Sequence, residues 1–425
     1  MPTAEEEKVW RLIDQDYLVR LAADLVNIPS PTGEEKEIAA FYRDTLKGLG
    51  MKAFLQEIEA DRYNAIGTLE GDGTGITLMF NGHLDTSYSG KERGLPDLPA
   101  YQPKAWVDHG WIYGLGIYNM KAALACFAAS LRAVLKAGVP LRGDVIIAGA
   151  AGEIEMGPVD NFQGRHYRGA GCGSCYMATH GVTADMAVVG EPTALNLVIG
   201  HMGYVYSKIT TRGMPAHTVY ADATDNAILK MNRILAAVEE WAPEYGDSHK
   251  YMGKRAAINI AAVEGGWAYR CSRAPVFCTA YIDVRLLPGQ HPLEIKREIA
   301  SLLRRVEAKY PNVKAELELF MSNPGSEIDP NHPVFRAVQR AHKSVFGMDV
   351  VVTPEGWFSD ATHLSRYNIP TLNYGPSGRT KSGKPGWDPD VGEHVSVEDM
   401  VNGTKVYAGT ILDLCTKRRQ DILGH

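Results

Sequence analysis

"ITLMFNGHLD", residues 76–85, is the stretch on which the fold turns. Ile76 to Phe80 run apolar except for Thr77, too short for a helix, and the run then breaks into Asn, Gly, His and Asp. Such a run reads as a buried strand whose carboxyl end delivers His83 and Asp85 together. "DVIIAGAAGE" (144–153) and "ADMAVVGEP" (184–192) repeat the design and end at Glu153 and Glu191. Between the first two lies "NMKAALACFAASLRAVLKAG" (119–138), with alanine and leucine at helical spacing. Strand, helix, strand implies parallel pairing in a doubly wound α/β sheet. Ligands of such sheets bind beyond the carboxyl ends of the strands. His83, Asp85, Glu153, Glu155 and Glu191 all fall there.

The rest of the chain bounds the possibilities. Its 425 residues exceed one ordinary core, so about two domains are expected. A net charge of -6 without a basic block argues against a nucleic-acid partner. No apolar run approaches the ~20 residues that span a bilayer. The acidic opening "MPTAEEEKVW" lacks a signal-peptide layout, and six cysteines make no disulfide scaffold, so a reducing cytoplasm is expected. Cys172 and Cys175 form a C-x-x-C read as two small thiols in a Gly-rich loop, because no second pair accompanies them to build a zinc site.

From residue 202 the pattern changes. "YVYSKITTRG", "VFCTAYIDVRLL" and "KAELELF" read as strands, and "NAILKMNRILAAVEEW" and "LEIKREIASLLRRVEAKY" as amphipathic helices. An α+β domain over 202–324 is therefore expected as an insertion into a discontinuous domain of 1–201 and 325–425. The Gly/Pro-rich "YGPSGRTKSGKPGWDPDVGEH" is a long loop of the kind that builds sites.

A hydrolytic metal site needs nitrogen or oxygen ligands, a group orienting each histidine, and a base for water. His83 is a natural ligand, and Asp85 is suited to accept its second ring N–H. Asn119 in "GLGIYNMKAALA" (114–125) faces a site or merely caps the following helix. Glu153 and Glu155 supply a base or a ligand. Glu191, directly after a buried strand, calls for a cation partner.

In this order the segments resemble the M20 family of metallohydrolases. "GHLD", "GLGIYNMKAALA", "GEIEMG", "GEPT", "TTRGMPAH", "FSDATHL" and "IPTLNYGPSG" each resemble a family motif, over essentially the whole chain. The resemblance implies a zinc-peptidase-like catalytic domain with mixed sheet, an inserted lid that dimerises, and hydrolysis of a C–N bond. It implies His83 and Glu191 as metal ligands, Asp85 as orienting residue, a glutamate base with a neighbouring ligand, and His217 polarising the reacting group.

Three departures qualify the transfer. Asn119 stands where the family has a metal-bridging aspartate. Ile154 separates Glu153 from Glu155, so Glu155 aligns as the metal-site glutamate while Glu153 is favoured as base. The closing loop offers Trp387, Asp388 and Asp390 where a metal-binding histidine is usual, and His394 follows the glutamate. The expected cofactor is one divalent ion per subunit, Mn or Zn, with rescue of a second ion by Asp388 or Asp390 as the alternative. Arg285 is expected either to pair a substrate carboxylate or to form an ion pair with Asp283. Ser377 and Gly378 are expected as anion-binding groups, and Tyr269 as a substrate contact. The substrate is then a small carboxylate-bearing molecule, an N-acyl amino acid, a dipeptide or an aromatic amine such as 5-nitroanthranilate. A non-catalytic binding protein on the same fold is the competing expectation.

Overall fold

In the computed structural model, which describes residues 1–95, 97–384, 386 and 388–424, the chain divides into two compact units. The first is Met1–Ile199, Glu327–Thr353 and Ser359–His425, and the second is Gly200–Ser326 with Pro354–Phe358.

The first unit is built on a mixed sheet. Leu78–His83 lies between Val145–Ala150 and Met186–Val189, parallel to both, and every residue of the three strands is buried. Strands covered on both faces carry continuous apolar runs rather than alternation, which is why these segments are so legible. Thr371–Asn373 extends the sheet in parallel, while Arg62–Leu69 and Lys52–Glu59 add antiparallel strands on the other side.

Successive side chains of Leu78–His83 face opposite ways. Phe80 packs on Phe127 of the helix Ala122–Lys136 and on Tyr407 of the helix Val397–Cys415. Gly82 lies on that face too, where a Cβ would sit 2.8 Å from the Met120 side chain and 2.9 Å from that of Leu124. Glycine therefore lets this helix approach the sheet. Asn81 faces the other way and donates to the Ser174 hydroxyl, 2.9 Å away, on the helix Cys172–Thr179. Helices thus cover both faces.

The second unit is a four-stranded antiparallel sheet in the order Ile258–Gly265, Phe277–Leu286, Gly203–Arg212, Ala315–Asn323. The helices Ala227–Ser248 and Pro292–Lys309 pack on it around their own apolar core. Pro354–Phe358 joins this unit, rather than the catalytic portion expected from sequence, because its aromatic rings find partners there. Trp357 stacks on His201 at 6.1 Å, and Phe358 meets Tyr204 edge-on at 5.3 Å.

Candidate metal centre

His83, the last residue of its strand, is fully buried. Its Nδ1 lies 2.9 Å from the backbone carbonyl of Asp85 and 3.5 Å from that residue's carboxylate. The carbonyl is therefore the nearer orienting acceptor, not the carboxylate expected from sequence. The carboxylate does different work. Its Oδ1 accepts from the Glu153 N–H at 2.9 Å, and its Oδ2 from the Thr32 hydroxyl at 2.7 Å and the Ile154 N–H at 3.2 Å. Asp85 thus ties the histidine strand to the glutamate segment.

With Nδ1–H donating to a carbonyl, Nε2 is left as a lone pair. It faces the Asn119 side-chain oxygen at 3.0 Å. Asn119 is not the helix cap: the helix proper begins at Ala122 with Lys121 at the cap position, and Asn119, at φ -127° and ψ 93°, belongs to the turn before it. Its loop is held by Glu393, a residue to which sequence reading gave no role. Glu393 Oε2 accepts from the N–H groups of Gly116, Tyr118 and Asn119 at 2.9, 3.2 and 3.4 Å. Burial pushes the Glu393 carboxyl up to about 7, against the pull of those N–H groups and of Lys121. Burial likewise pushes Lys121 down to about 7, against the charges of Glu393 and Asp85, and its Nζ donates to the Ile28 carbonyl at 3.0 Å.

Glu153 and Glu191 complete the cluster. One ligand atom from each of His83, Glu153 and Glu191 lies within 4.8 Å of the others, and all three residues are buried. Glu153 Oε2 is 3.8 Å from His83 Nε2. The backbone of Glu153 is held by the turn before the helix Cys172–Thr179, where the Gly171 N–H lies 2.9 Å from the Gly152 carbonyl and 3.2 Å from that of Glu153. The C-x-x-C thus sits in a turn that supports the glutamate, and both its cysteines are free thiols. Glu155, expected as the metal-site glutamate, is only half-buried, and Glu153 occupies the cluster in its place.

These residues fit a divalent cation. Ligand bonds of about 2.0–2.2 Å place neighbouring ligand atoms roughly 3–3.5 Å apart, so an ion would draw this set, with 3.8 Å between His83 and Glu153, slightly inward. Glu191 Oε1 is buried without a hydrogen-bond partner. Burial raises both glutamates well above the usual carboxylate range; next come the charge of Glu191 for Glu153, and that of Asp360 for Glu191. A buried set of mutually repelling carboxylates beside a lone-pair nitrogen is relieved by a cation.

Residues 79–413 match the profile of peptidase family M20/M25/M40. The chain belongs to that family. It is 23% identical to N-formyl-4-amino-5-aminomethyl-2-methylpyrimidine deformylase of Bacillus subtilis, with 96% of each chain covered. It is 26% identical to succinyl-diaminopimelate desuccinylase of Gluconacetobacter diazotrophicus, over 91% of this chain and 94% of that one. The fold is similar to that of human carnosine dipeptidase 1, with a TM-score of 0.75, 16% identity, and 97% and 99% of the two chains covered. The chain is therefore an M20 hydrolase acting on C–N bonds, in a family dependent on divalent metals.

The remaining expected M20 positions fall as follows. Asp390 is exposed and paired with Lys381, and Asp388 accepts from the Asp390 N–H at 3.1 Å, closing its own turn. His394 has Nδ1 2.9 Å from the Gly392 carbonyl and Nε2 2.9 Å from that of Arg379. Trp387 lies outside the described residues. Ser377 is fully buried, and its hydroxyl lacks a hydrogen-bond partner. Gly378 packs close against the His394 carbonyl. In the second unit, Arg285 donates to Asp283 at 2.8 and 3.1 Å. His217 and Tyr269 are exposed there, with the Arg270 guanidinium over the Tyr269 ring.

Proposed function

We propose that the chain hydrolyses the C–N bond of a small carboxylate-bearing substrate with one divalent ion per subunit. The observation that carries this reading is the engagement of the second-ion candidates: Asp388, Asp390 and His394 are all committed to other partners. His83, Asn119 and Glu191 hold the ion, and the neutral, hard amide oxygen of Asn119 favours Mn2+ over Zn2+. When bound, a divalent ion lowers the pKa of water and polarises an electrophile.

Glu153 acts as base. It takes a proton from the attacking water and returns it to the departing nitrogen. For an amide, the water oxygen bonds to the acyl carbon and the amine leaves. For an aromatic amine such as 5-nitroanthranilate, it bonds to the ring carbon and ammonia leaves, giving the phenol. The neutral Asn119 site favours the second chemistry, whose substrate carries an ortho carboxylate that would bind the ion. His217 supplies charge stabilisation by family resemblance. A homodimer through the inserted unit is supported by the edge strand Ile258–Gly265, which exposes Ile260 and Val263. Six free thiols fit a reducing cytoplasm.

Turnover of N-acetyl amino acids, dipeptides and aminobenzoates, measured side by side with Mn2+ and Zn2+ and with metal counted by elemental analysis, tests the proposal. Release of ammonia from the nitroaromatic amine at one ion per subunit supports it. Amide turnover at two ions per subunit sinks both the single-ion and the deaminase readings. Absence of any bound ion, with ligand binding surviving His83→Ala, favours a non-catalytic binding protein.

A further inference from the structure

Asp360 lies in "FSDATHL", 169 positions after Glu191, and opens the short helix Ala361–Arg366 without capping it. It is 1% exposed, and neither carboxylate oxygen has a hydrogen-bond partner of proper geometry; the Ser174 hydroxyl alone is near enough to favour its charge. Its charge is the strongest that Glu191 meets and second only to that of Glu191 on Glu153. A Cβ built on Gly171 would lie 2.8 Å from Asp360 Oδ1, and Gly171 is the residue whose N–H supports the Glu153 backbone. The side chain is therefore packed against the glutamate turn, outside the set of ligand atoms that His83, Glu153 and Glu191 bring within 4.8 Å of one another. No lysine or arginine pairs with it among the described residues. A buried carboxylate so placed is costly unless a cation compensates it.

We infer that Asp360 is a further carboxylate donor to the divalent cation at His83, Asn119 and Glu191. The inference rests on the single-ion reading above. It explains how a site that exchanges a bridging aspartate for a neutral amide keeps enough negative charge to hold a dication.

The test uses Asp360→Asn with three readouts: Mn2+ affinity by competition with a chromophoric chelator, melting of the metal-free protein, and the visible absorption of the Co2+-loaded protein. Expected are a fall in affinity of about 10–100-fold, a higher melting temperature without metal because a repelling charge is gone, and a changed Co2+ spectrum. A purely structural role predicts a lower melting temperature and an unchanged Co2+ spectrum, and either result overturns the inference. Should Asp360→Asn not fold, Asp360→Glu keeps the charge, and an unaltered Co2+ spectrum overturns the inference equally. Failure of the wild-type protein to bind Mn2+ sinks the single-ion reading itself, whereas normal binding unaffected by Asp360→Asn sinks only the role of Asp360.

Discussion

The side chains of His83 and Asn119 meet at 3.0 Å, Nε2 to Oδ1, with the other ring nitrogen committed to the Asp85 carbonyl. These two atoms are thereby adjacent candidate ligand atoms. Asn119→Ala is expected to weaken Mn2+ binding by about 10-fold, measured by chelator competition. Asn119→Asp is expected to tighten binding of one ion without recruiting a second, because Asp388, Asp390 and His394 remain engaged elsewhere. Elemental analysis showing two ions per subunit in that variant contradicts this account.

Asp85 connects two parts of the site, and the consequences separate in kinetics. Asp85→Asn replaces an acceptor of three hydrogen bonds by a group that itself donates, disturbing the Glu153 and Ile154 N–H groups. Displacing the base is expected to lower kcat by about 100-fold, with a smaller change in Mn2+ affinity, since the His83 ring is held by the carbonyl. Loss of metal with kcat preserved in the remaining holoenzyme would show that the carboxylate orients His83 instead. Thr32→Val removes one donor only and is expected to cost about 1 kcal/mol of stability.

Glu393 accepts three backbone N–H bonds under the Asn119 loop and faces the buried Lys121. Glu393→Ala leaves those three donors without their acceptor. Urea denaturation is expected to show a loss of about 1–3 kcal/mol, with Glu393→Gln milder. An unchanged midpoint contradicts this role of Glu393.

His342 is buried beside Phe346, with Nδ1 2.9 Å from the Tyr374 hydroxyl, and burial pushes its pKa down to about 4. The unfolded histidine titrates near ~6.5, so the unfolded chain binds more protons between the two values. Its contribution to stability is fully present above about 6.5 and is lost as pH falls toward about 4. Thermal melts across that window are expected to show a shallower pH slope for His342→Phe than for wild type. An identical slope would mean that other groups carry the acid sensitivity.

The strands carrying His83, Glu153 and Glu191 were legible because buried parallel strands write themselves as short unbroken apolar runs, with polar residues only where the chain leaves the sheet. The edge strand Ile258–Gly265 escaped notice for the opposite reason. It is exposed along nearly its whole length, and a register shift between Ile260 and Ala262 breaks its alternation.

Local pattern thus determined the layers of the fold and the positions of His83, Asn119 and Glu191 at chain breaks. It does not reach across the chain. Only the tertiary structure chose Glu153 over Glu155 for the cluster, gave the Asp85 carboxylate to the glutamate backbone, paired Arg285 with Asp283, and brought Glu393 beneath the Asn119 loop. Periodicity says which face a residue occupies on its own element. Which distant loops meet there depends on how the elements pack, and no local pattern records it.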